Sequence, residues 1–518
     1  MKLILYLTIL GLGCVNGLKI LGVFSFFGKS SSLLGHALMK HLAEAGHEVT
    51  YITPRPPRKP QDGINIVDIS SIRERYKSGE ITNLTGILDR PNQIDSLVPL
   101  LQMLINLSEE TVENPNVQKL LADKSQNFDL VIIEWAFNEI FSGFSAVYNC
   151  PYIWFSTLTP HWMILQLVDD VSNPAYSSNV LSRNLPPFTF YERVMELWNL
   201  IWGQFVQRIY LAKTESGTYK KLFSHHIRER NHRVPALDEL RYNASLVLSN
   251  SHVSTGLPDK LPQNVIPVAG FHINSNIEPL PDNLEKLMDN SPHGVIYFSM
   301  GSNLESKHFP DILIQNLLKI FSKLKQTVLW KFEEDLTNLP PNVHLLKWAP
   351  QHSILAHKNC VLFITHGGLL STTEAIHFGV PIIAIPARAD QFLNVKRAIP
   401  KGFVIKVDYS YNLAIDLEKA LQEMLGEPRY KQKAKELSLI YHDRPVPPAK
   451  ELVHWVEHVA KTGGAVHMRS PALMMAWYQK YYVDLLLIIV VCAYVLKNLV
   501  KVVRNSVGKS KKGKKKNE

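Results

Sequence analysis

Residues 363–391, FITHGGLLSTTEAIHFGVPIIAIPARADQ, place a histidine, paired glycines, two acids and a glutamine beside apolar runs that are typical of buried strands. The first apolar run ends at His366-Gly367-Gly368, and a helix is predicted to begin near Ser371. Glycines allow a ligand to approach the backbone, and a helix N-terminus offers free N–H groups to an anion. The pattern therefore predicts a phosphate site to which His366 and Ser371 donate hydrogen bonds.

Three further polar residues extend this predicted site. Glu374, one turn into the helix, is placed to accept hydrogen bonds from the vicinal hydroxyls of a ribose. Asp390 and Gln391 follow the next strand, where they are placed for additional hydroxyls. Ligands of parallel α/β folds bind at the carboxyl ends of the strands, which is where these residues are expected. Phosphate, diol and further hydroxyls together indicate a nucleotide sugar.

Alternating strands and helices predict two parallel α/β halves. The first half contains the strand-like runs LKILGVFSF, HEVTYIT, FDLVIIEWAF and PYIWFST, and residues 245–250, SLVLSN, are its expected last strand. A Pro-rich connector, residues 256–267, precedes a second series that includes GVIYFSMGS, TVLWKF, VHLLKWAP and VLFITHGG. Strand-helix-strand units require a parallel sheet.

Both ends of the chain contain an apolar segment. The first, MKLILYLTILGLGCVNG, is typical of a secretory signal peptide cleaved after Gly17. The second, YYVDLLLIIVVCAYVLKNLV at residues 481–500, has the length of a transmembrane helix. A buried core helix is the alternative, but the basic residues that follow disfavour it and place the tail in the cytoplasm. We therefore expect a single-pass type I membrane protein with a lumenal body.

The net charge of +10, from 56 basic and 46 acidic residues, comes mostly from one end. Residues 497–518 contain nine Lys or Arg and one Glu, so the body is nearly neutral and nucleic-acid binding is disfavoured. Lys515 and Lys516 resemble a retrieval signal of the endoplasmic reticulum, although a plain stop-transfer tail is the alternative. Three sequons predict glycosylation of the lumenal body, at Asn83, Asn106 and Asn243.

The motif at residues 363–391 resembles the signature of UDP-glycosyltransferases, and WAPQHSILAH at residues 348–357 is similar to the same family. The resemblance covers nearly the whole chain, and HGGLLSTTEA is closest to the insect branch. It implies the GT-B fold: an α/β protein with two Rossmann-like domains facing across a cleft, plus one C-terminal transmembrane helix. The expected segments are a signal peptide (1–17), an N-terminal acceptor-binding domain (18–266), a C-terminal UDP-sugar-binding domain (267–450), a return helix and juxtamembrane segment (451–480), a transmembrane helix (481–500) and a basic cytoplasmic tail (501–518).

The resemblance also implies a role for each residue on the donor side. Trp348 is expected to stack on uracil, Gln351 to contact the uridine, and Glu374 to bind the ribose hydroxyls. The diphosphate is expected at His366, Ser371 and Ser302, and the sugar at Asp390 and Gln391. The full expected donor set is Ser302, Trp348, Gln351, His366, Gly368, Ser371, Glu374, Asp390 and Gln391. The family needs no metal, and no metal-ligand spacing appears in the sequence. Cys150 and Cys360 are expected to be buried thiols rather than a disulfide.

The expected catalytic pair is altered in this chain. Inverting transfer to a hydroxyl needs a base that takes the acceptor's proton and an acid that orients the base. The family uses a histidine in the loop after the first strand, but alignment on AEAGHEVT places Ser31 there. Glu134 lies where the partner acid, commonly Asp, is expected. His36 is expected inside the following helix, where it cannot take the same place.

Two functional hypotheses follow. In the first, the chain is a hexosyltransferase of the EC 2.4.1 type, involved in detoxification. It would move a sugar from a UDP-sugar, with glucose favoured by the insect-like wording, to a small lipophilic acceptor. Glu134 would then act as the base, or the acceptor would ionise unaided. In the second, it is a UDP-sugar-binding relative without transferase activity. Both hypotheses are compatible with homo-oligomers or with hetero-oligomers formed with related chains. Both are also compatible with location in the endoplasmic reticulum membrane.

Overall fold

The computed structural model describes residues 17–57, 59–76, 97–258, 260–274, 276–302 and 304–514, with side chains as far as residue 505. These residues form two compact units, the first ending at Arg469 and the second beginning at Ser470. The predicted signal peptide as far as residue 16, Asn83, and the lysines at 515 and 516 lie outside the described residues.

The first unit contains two sheets. The strands of the first sheet are β1 (Lys19–Val23), β2 (Glu48–Thr53), β3 (Ile64–Asp68), β4 (Leu130–Glu134), β5 (Tyr152–Ser156), β6 (Val247–Ser249) and β7 (Val265–Pro267). Those of the second are β8 (Val295–Ser299), β9 (Thr327–Lys331), β10 (Val343–Leu346), β11 (Cys360–Thr365), β12 (Ile382–Ala384) and β13 (Val404–Lys406). The strand orders are β3-β2-β1-β4-β5-β6-β7 and β10-β9-β8-β11-β12-β13, and all the pairings are parallel. The predicted pair of parallel α/β halves is confirmed.

Helices connect these strands. Those of the first half are α1 (Lys29–Glu44), α2 (Ser70–Tyr76), α3 (Leu97–Glu113), α4 (Pro115–Ala122), α5 (Gly143–Tyr148), α6 (Trp162–Leu165), α7 (Phe190–Phe205), α8 (Ala212–Glu229) and α9 (Leu237–Arg241). Those that follow are α10 (Asp282–Asp289), α11 (Asp311–Phe321), α12 (Gln351–Ala356), α13 (Leu369–Phe378), α14 (Gln391–Ala398), α15 (Leu413–Gly426), α16 (Pro428–His442) and α17 (Pro448–Lys461). Short 3₁₀ turns occur at Ile140–Ser142, Ser306–His308, Ile399–Lys401 and Val466–Met468, and a π-helical turn at Val206–Tyr210 continues α7.

Each sheet reverses its strand order beside its first strand, between β1 and β4 and between β8 and β11. Ligands of doubly wound folds bind at such reversal points, outside the carboxyl ends of the strands. Both predicted sites follow these strands: Ser31 comes after β1 and Glu134 ends β4, while Ser302 comes after β8 and His366 after β11.

Apolar side chains cover both faces of each sheet, which explains the continuous apolar runs of the strands. Ile20 and Leu21 are adjacent in β1, fully buried, and belong to hydrophobic clusters on opposite faces. Ile296 and Tyr297 of β8 divide in the same way. Parallel sheets buried on both faces lack the polar alternation of half-exposed strands.

The last helix of the first unit returns to the first sheet. Leu452, Val456 and Val459 of α17 recur at helical spacing and are fully buried in the same cluster as Ile20 of β1 and Leu34 of α1. Residues late in the sequence therefore complete the core of the N-terminal half.

The first sheet has two more strands than the sequence predicts. One is β3, Ile64–Asp68, which pairs with β2 in a polar span where loops over the sheet were expected. The run SLVLSN was expected to be the last strand, whereas β7, Val265–Pro267, pairs with β6 beyond it. This strand has three residues and ends in proline, so it shows no periodicity and was assigned to the connector. The predicted domain boundary between residues 266 and 267 falls within β7, and the segment limits otherwise stay predictions.

The second unit contains a long apolar helix. The short helix α18 (Trp477–Lys480) precedes α19 (Val483–Lys514), in which Val483–Asn505 is long and apolar enough to cross a membrane. The predicted segment began at Tyr481, but Tyr482 has a φ of +55°, which interrupts the helix before α19 begins.

The first unit also contains an exposed apolar helix face and two free thiols. Helix α7 exposes a large apolar face that includes Tyr191, Trp198 and Trp202. Cys150 and Cys360 are free thiols, as predicted. Cys360 is buried as expected, whereas Cys150 is half-buried. Burial raises the pKa of both thiols to about 12.

Candidate functional site

The loop between β11 and α13 lies at the carboxyl edge of the second sheet. Gly367 has a φ of +73°, in the left-handed region that favours glycine. A Cβ at Gly301 or Gly368 would collide with the His366 ring, so the imidazole packs directly against two backbone segments. Burial, with Lys331 nearby, lowers the pKa of His366 to about 4. The ring is therefore neutral at physiological pH and can donate from one nitrogen.

Gln351 from one predicted motif comes together with Ser371 and Glu374 from the other. Gln351 is half-buried, and the other two are buried. Gln351 Nε2 donates to Glu374 Oε2 at 2.5 Å and to Ser371 Oγ at 3.4 Å. Gln351 Oε1 accepts from the hydroxyl of Tyr297 at 3.1 Å. The first residue of α12 and the first two turns of α13 thus place an amide, a hydroxyl and a carboxylate within reach of one ligand.

Two histidines that the sequence analysis did not single out flank the same carboxylate. Glu374 Oε1 lies 3.4 Å from His272 Nε2 and 3.3 Å from His352 Nε2. Burial alone would raise the pKa of the Glu374 carboxyl, but the two imidazoles hold it well below its usual range. Burial likewise opposes charge on His352, yet Glu374 raises the pKa of His352 above its usual value. His352 directly follows Gln351 in the recognised motif, whereas no motif indicated His272.

Trp348 presents its ring to solvent. The side chain is 67% exposed, and the Lys29 Nζ lies 5.6 Å from the ring centroid. Lys29 begins α1 in the first half, so this cation–π contact joins the two halves. An exposed indole at this edge suits the predicted stacking role.

Asp390 and Gln391 lie at the start of α14. Asp390 Oδ2 accepts from Asn394 Nδ2 at 2.7 Å, and burial raises the pKa of Asp390. Gln391 Oε1 accepts from the backbone N–H groups of Ala387 at 2.9 Å and Arg388 at 3.0 Å. These bonds are local and fix the turn after β12. Ser302, half-buried, lies in the loop after β8.

Basic side chains cluster near the loop between β11 and α13, which we call the phosphate loop. No sequence motif predicted this cluster. Lys331 is buried and donates from Nζ to the Gly301 carbonyl at 3.0 Å and to Glu333 Oε1 at 2.7 Å. Burial, followed by repulsion from Lys331 and Arg55, lowers the pKa of Lys29. The available signal was Lys331 itself, a charge at the end of the otherwise apolar strand TVLWK. Cations from both halves that repel each other would be stabilised by a diphosphate.

Ser31 and Glu134 are in contact, as their predicted pairing required. Ser31 Oγ donates to Glu134 Oε1, and the Phe26 N–H donates to Oε2 at 3.2 Å. The two side chains belong to residues that are 5% and 2% exposed. Burial raises the pKa of Glu134 to about 7, although hydrogen bonds from Ser31, Phe26 and Ser25 offset part of that effect. A carboxyl that titrates near neutrality suits proton transfer.

His36 lies within α1, as expected. Its Nδ1 is 2.6 Å from the Ser32 carbonyl oxygen, and its ring packs edge-on against Tyr51 at 5.3 Å. Burial lowers the pKa of His36. It does not occupy the position of Ser31.

Another histidine, His161, was not predicted. It precedes α6, lies 5.4 Å from the Trp135 ring, and both its ring nitrogens are buried without a hydrogen-bond partner. Burial and the positive charge of Arg397 lower its pKa to about 3. Arg397 donates to Thr159 Oγ1 at 3.1 Å, so this neutral ring lies near a contact between the halves.

The two described sequons are exposed. Asn106 lies on α3 and Asn243 follows α9, where its Oδ1 accepts from Arg469. Both are accessible to modification, and their glycosylation stays a prediction.

Comparisons with known proteins find similar sequences and a similar fold. The sequence model of the family described as UDP-glucoronosyl and UDP-glucosyl transferase matches residues 82–515. UDP-glucosyltransferase 2 of Dactylopius coccus is 31% identical over 488 residues, covering 92% of this chain and 91% of its own. UDP-glucuronosyltransferase 2B15 of Rattus norvegicus is 28% identical over 504 residues, covering 92% of each chain. The crystal structure of the glycotransferase of kitacinnamycin matches with a TM-score of 0.55 at 16% identity, covering 85% of this chain and 99% of its own. That structural match shows the fold, GT-B, with its two facing Rossmann-like domains.

Proposed function

The chain belongs to the UDP-glycosyltransferase family and is a transferase enzyme, and from this premise we propose a specific reaction. It moves a hexose, with glucose favoured, from a UDP-sugar to a small lipophilic acceptor that bears a hydroxyl, with inversion at the sugar carbon. Glucose is favoured because the insect relative that is 31% identical is named a glucosyltransferase. The observation that supports the reaction best is the buried hydrogen bond between Ser31 and Glu134.

On the donor side, the nucleotide is held by groups that the second half presents together. Trp348 stacks on uracil, while Gln351 and Glu374 bind the uridine and the ribose hydroxyls. Ser371 and His366 donate to the diphosphate, together with Ser302 and the backbone near Gly368. Asp390 accepts hydrogen bonds from the sugar hydroxyls, and Gln391 exchanges hydrogen bonds with them.

Charge on the leaving UDP is balanced by the protein itself in this proposal. Lys331 is fixed beside the phosphate loop by the Gly301 carbonyl, and Lys29 approaches from the other half. Charge-assisted hydrogen bonds to phosphate oxygens are about twice as strong as neutral ones. The transfer accordingly needs no metal cofactor.

On the acceptor side, Glu134 takes the proton through Ser31. The acceptor hydroxyl gives its proton to Ser31 Oγ as Ser31 gives its own to Glu134 Oε1. The acceptor oxygen bonds to the sugar carbon, and the bond from that carbon to UDP breaks. UDP leaves with the electron pair. Serine alone is not a base near pH 7, but a hydroxyl bonded to a carboxylate of pKa about 7 can relay a proton.

A lipophilic acceptor is supported by the aromatic residues beside this pair. Phe26, whose N–H binds Glu134, stacks on Phe27 at 4.9 Å, and Phe27 stacks on Tyr76 at 5.3 Å. After β4, Trp135 packs against Phe137 at 4.8 Å. Such rings favour apolar acceptors through contact area.

One observation favours the second candidate function, a UDP-sugar-binding relative without transferase activity. Ser31 replaces the histidine expected at the base position, and both Ser31 and Glu134 are almost fully buried. Under this alternative the donor site binds UDP-sugar and regulates a related, active chain.

A measurement of turnover distinguishes the two candidate functions. The full chain in detergent is incubated with UDP-glucose, UDP-glucuronic acid and a panel of phenols and alcohols, and UDP release and product masses are measured. A glycoside with one hexose added supports the transferase. Donor binding by calorimetry without any product supports the binding protein.

The location of the protein is part of the proposal. The helix Val483–Asn505 is a candidate single membrane span, and the basic residues after it favour a cytoplasmic tail. We place the body in the lumen of the endoplasmic reticulum, with glycans at the sequons. Oligomers with itself or with related chains are compatible with this arrangement.

A further inference from the structure

The cluster formed by His272, His352 and Glu374 has the composition of a metal site. The three residues come from separate parts of the chain: the segment after β7, the second position of α12 and the second turn of α13. One ligand atom from each lies within 4.8 Å of the others. Two imidazoles with one carboxylate are a donor set that Zn²⁺ prefers, with three protein ligands and a fourth position left open.

Two of the three distances between ligand atoms fit a tetrahedral ion, and the third, between the two imidazoles, is within 4.8 Å. Bonds of about 2.0–2.2 Å at tetrahedral angles place neighbouring ligand atoms roughly 3.3–3.6 Å apart. Glu374 Oε1 lies 3.3 Å from His352 Nε2 and 3.4 Å from His272 Nε2. Both approaches therefore match the spacing of two atoms bound to one zinc ion.

The state of His272 is an independent indication of a ligand. Its side chain is 0% exposed, yet neither ring nitrogen has a hydrogen-bond partner. The 3.4 Å approach of its Nε2 to Glu374 is an ion-pair distance without good hydrogen-bond alignment. A buried polar group without a partner is unfavourable, and a metal bond at Nε2 would satisfy it.

We propose that His272, His352 and Glu374 bind a zinc-class divalent ion, and that this ion excludes the UDP-sugar. The second part rests on the proposed function, in which Glu374 binds the ribose hydroxyls. A carboxylate oxygen bonded to a dication is a weak acceptor for a hydroxyl, so the ion and the ribose compete for Glu374. The ion acts as an inhibitor of donor binding and takes no part in transfer.

The binding test uses Co²⁺ as a spectroscopic probe and Zn²⁺ as its competitor, with the full chain in detergent. Tetrahedral Co²⁺ absorbs visible light much more strongly than octahedral Co²⁺. We expect one tetrahedral ion per chain, displaced by Zn²⁺, with affinity at least tenfold weaker in His352→Gln and in His272→Gln. His352 is the safer variant for folding, because its side chain is 25% exposed.

The matched control is a second pair of histidines. His458 is half-buried and His467 exposed, with Nε2 atoms 3.1 Å apart, and the pair could bind metal weakly. His458→Gln and His467→Gln should leave the tetrahedral signal unchanged. Loss of the signal only in these variants, or its retention in both cluster variants, would show adventitious surface binding and overturn the proposal.

Competition is measured by calorimetry with UDP. We expect Zn²⁺ to weaken UDP binding at least tenfold in the wild-type chain and EDTA to restore it, with little effect of Zn²⁺ in His352→Gln. UDP binding that Zn²⁺ does not change overturns the inhibitory site while leaving the proposed function intact. A chain that binds Zn²⁺ but no UDP in EDTA overturns the proposed function, and with it the competition.

Discussion

Replacement of Glu134 by glutamine tests the proposed proton path most directly. Glutamine keeps the size of the side chain and can still accept from Ser31, but it cannot take a proton. General-base catalysis contributes about 10²–10⁴-fold, so we expect a loss of this size with an alkyl alcohol as acceptor. An acidic nitrophenol, which ionises unaided, should lose much less, and UDP-glucose affinity should change little.

The pH dependence gives a second measure of the same prediction. The base acts when ionised, so the rate rises with pH through the Glu134 pKa of about 7. The ionised fraction is about one tenth at pH 6 and about nine tenths at pH 8, which predicts an approximately ninefold rise with the alcohol. Glu134→Gln should abolish this rise.

The assay is UDP release by the full chain in detergent, from pH 6 to pH 8, with Glu48→Gln as a matched control at an exposed residue. Folding is checked by thermal unfolding. A raised carboxyl pKa means that stability is lost as pH rises through about 7, so the neutral variant should be no less stable than wild type at pH 8. A Glu134→Gln enzyme with an unchanged alcohol rate and an unchanged pH profile would refute the relay.

The remaining predictions concern the other site residues and the membrane segment. Ser31→His should raise turnover of poorly acidic acceptors most, measured as kcat across a phenol and alcohol series, and equal rates on every acceptor would contradict the assigned base position. Glu374→Ala should weaken UDP and UDP-glucose alike in calorimetry, whereas Asp390→Ala should weaken UDP-glucose only; equal losses of UDP would contradict the placement of these carboxylates. Lys331→Met should cost roughly 1.5–3 kcal/mol of UDP binding, since it removes a charged partner of the diphosphate, and uridine, which lacks phosphate, should bind unchanged. Removal of residues 481–518 should release the chain from alkali-washed microsomes, and a tag after the last residue should be open to protease in sealed ones; a protected tag would contradict the type I topology.

Much of the fold could be predicted because it depends on local pattern. The parallel strands are apolar runs whose length and neighbours are visible in sequence, and the helices between them show helical spacing. Strand β7 could not be predicted, since it has three residues and forms only because β6 offers a free edge. The return of α17 to the first sheet was expected only from the family resemblance, because no local pattern specifies such long-range packing.

The donor site was predictable where its residues lie in one of the two sequence motifs, and not where segments outside those motifs contribute. Gln351, Ser371 and Glu374 were predicted, and they do form one group. His272 was not predicted, because it meets Glu374 across about a hundred residues of chain. Lys29 was not predicted, since its approach to Trp348 depends on how the two halves face each other.

Ser31 and Glu134 both differ from the residues that the family resemblance implies at their positions, and the two differences are best understood together. Serine is shorter than the histidine expected at its position, and glutamate is longer by one carbon, roughly 1.5 Å, than the aspartate common at its own. The longer acid reaches the shorter hydroxyl, and the two make a direct hydrogen bond in a buried site. A hydroxyl that had merely replaced a lost base would not need an acid of this length, nor one whose pKa lies at about 7. Compensation in length together with a neutral pKa favours a working proton path over a silent one, and the Glu134→Gln pH profile decides between them.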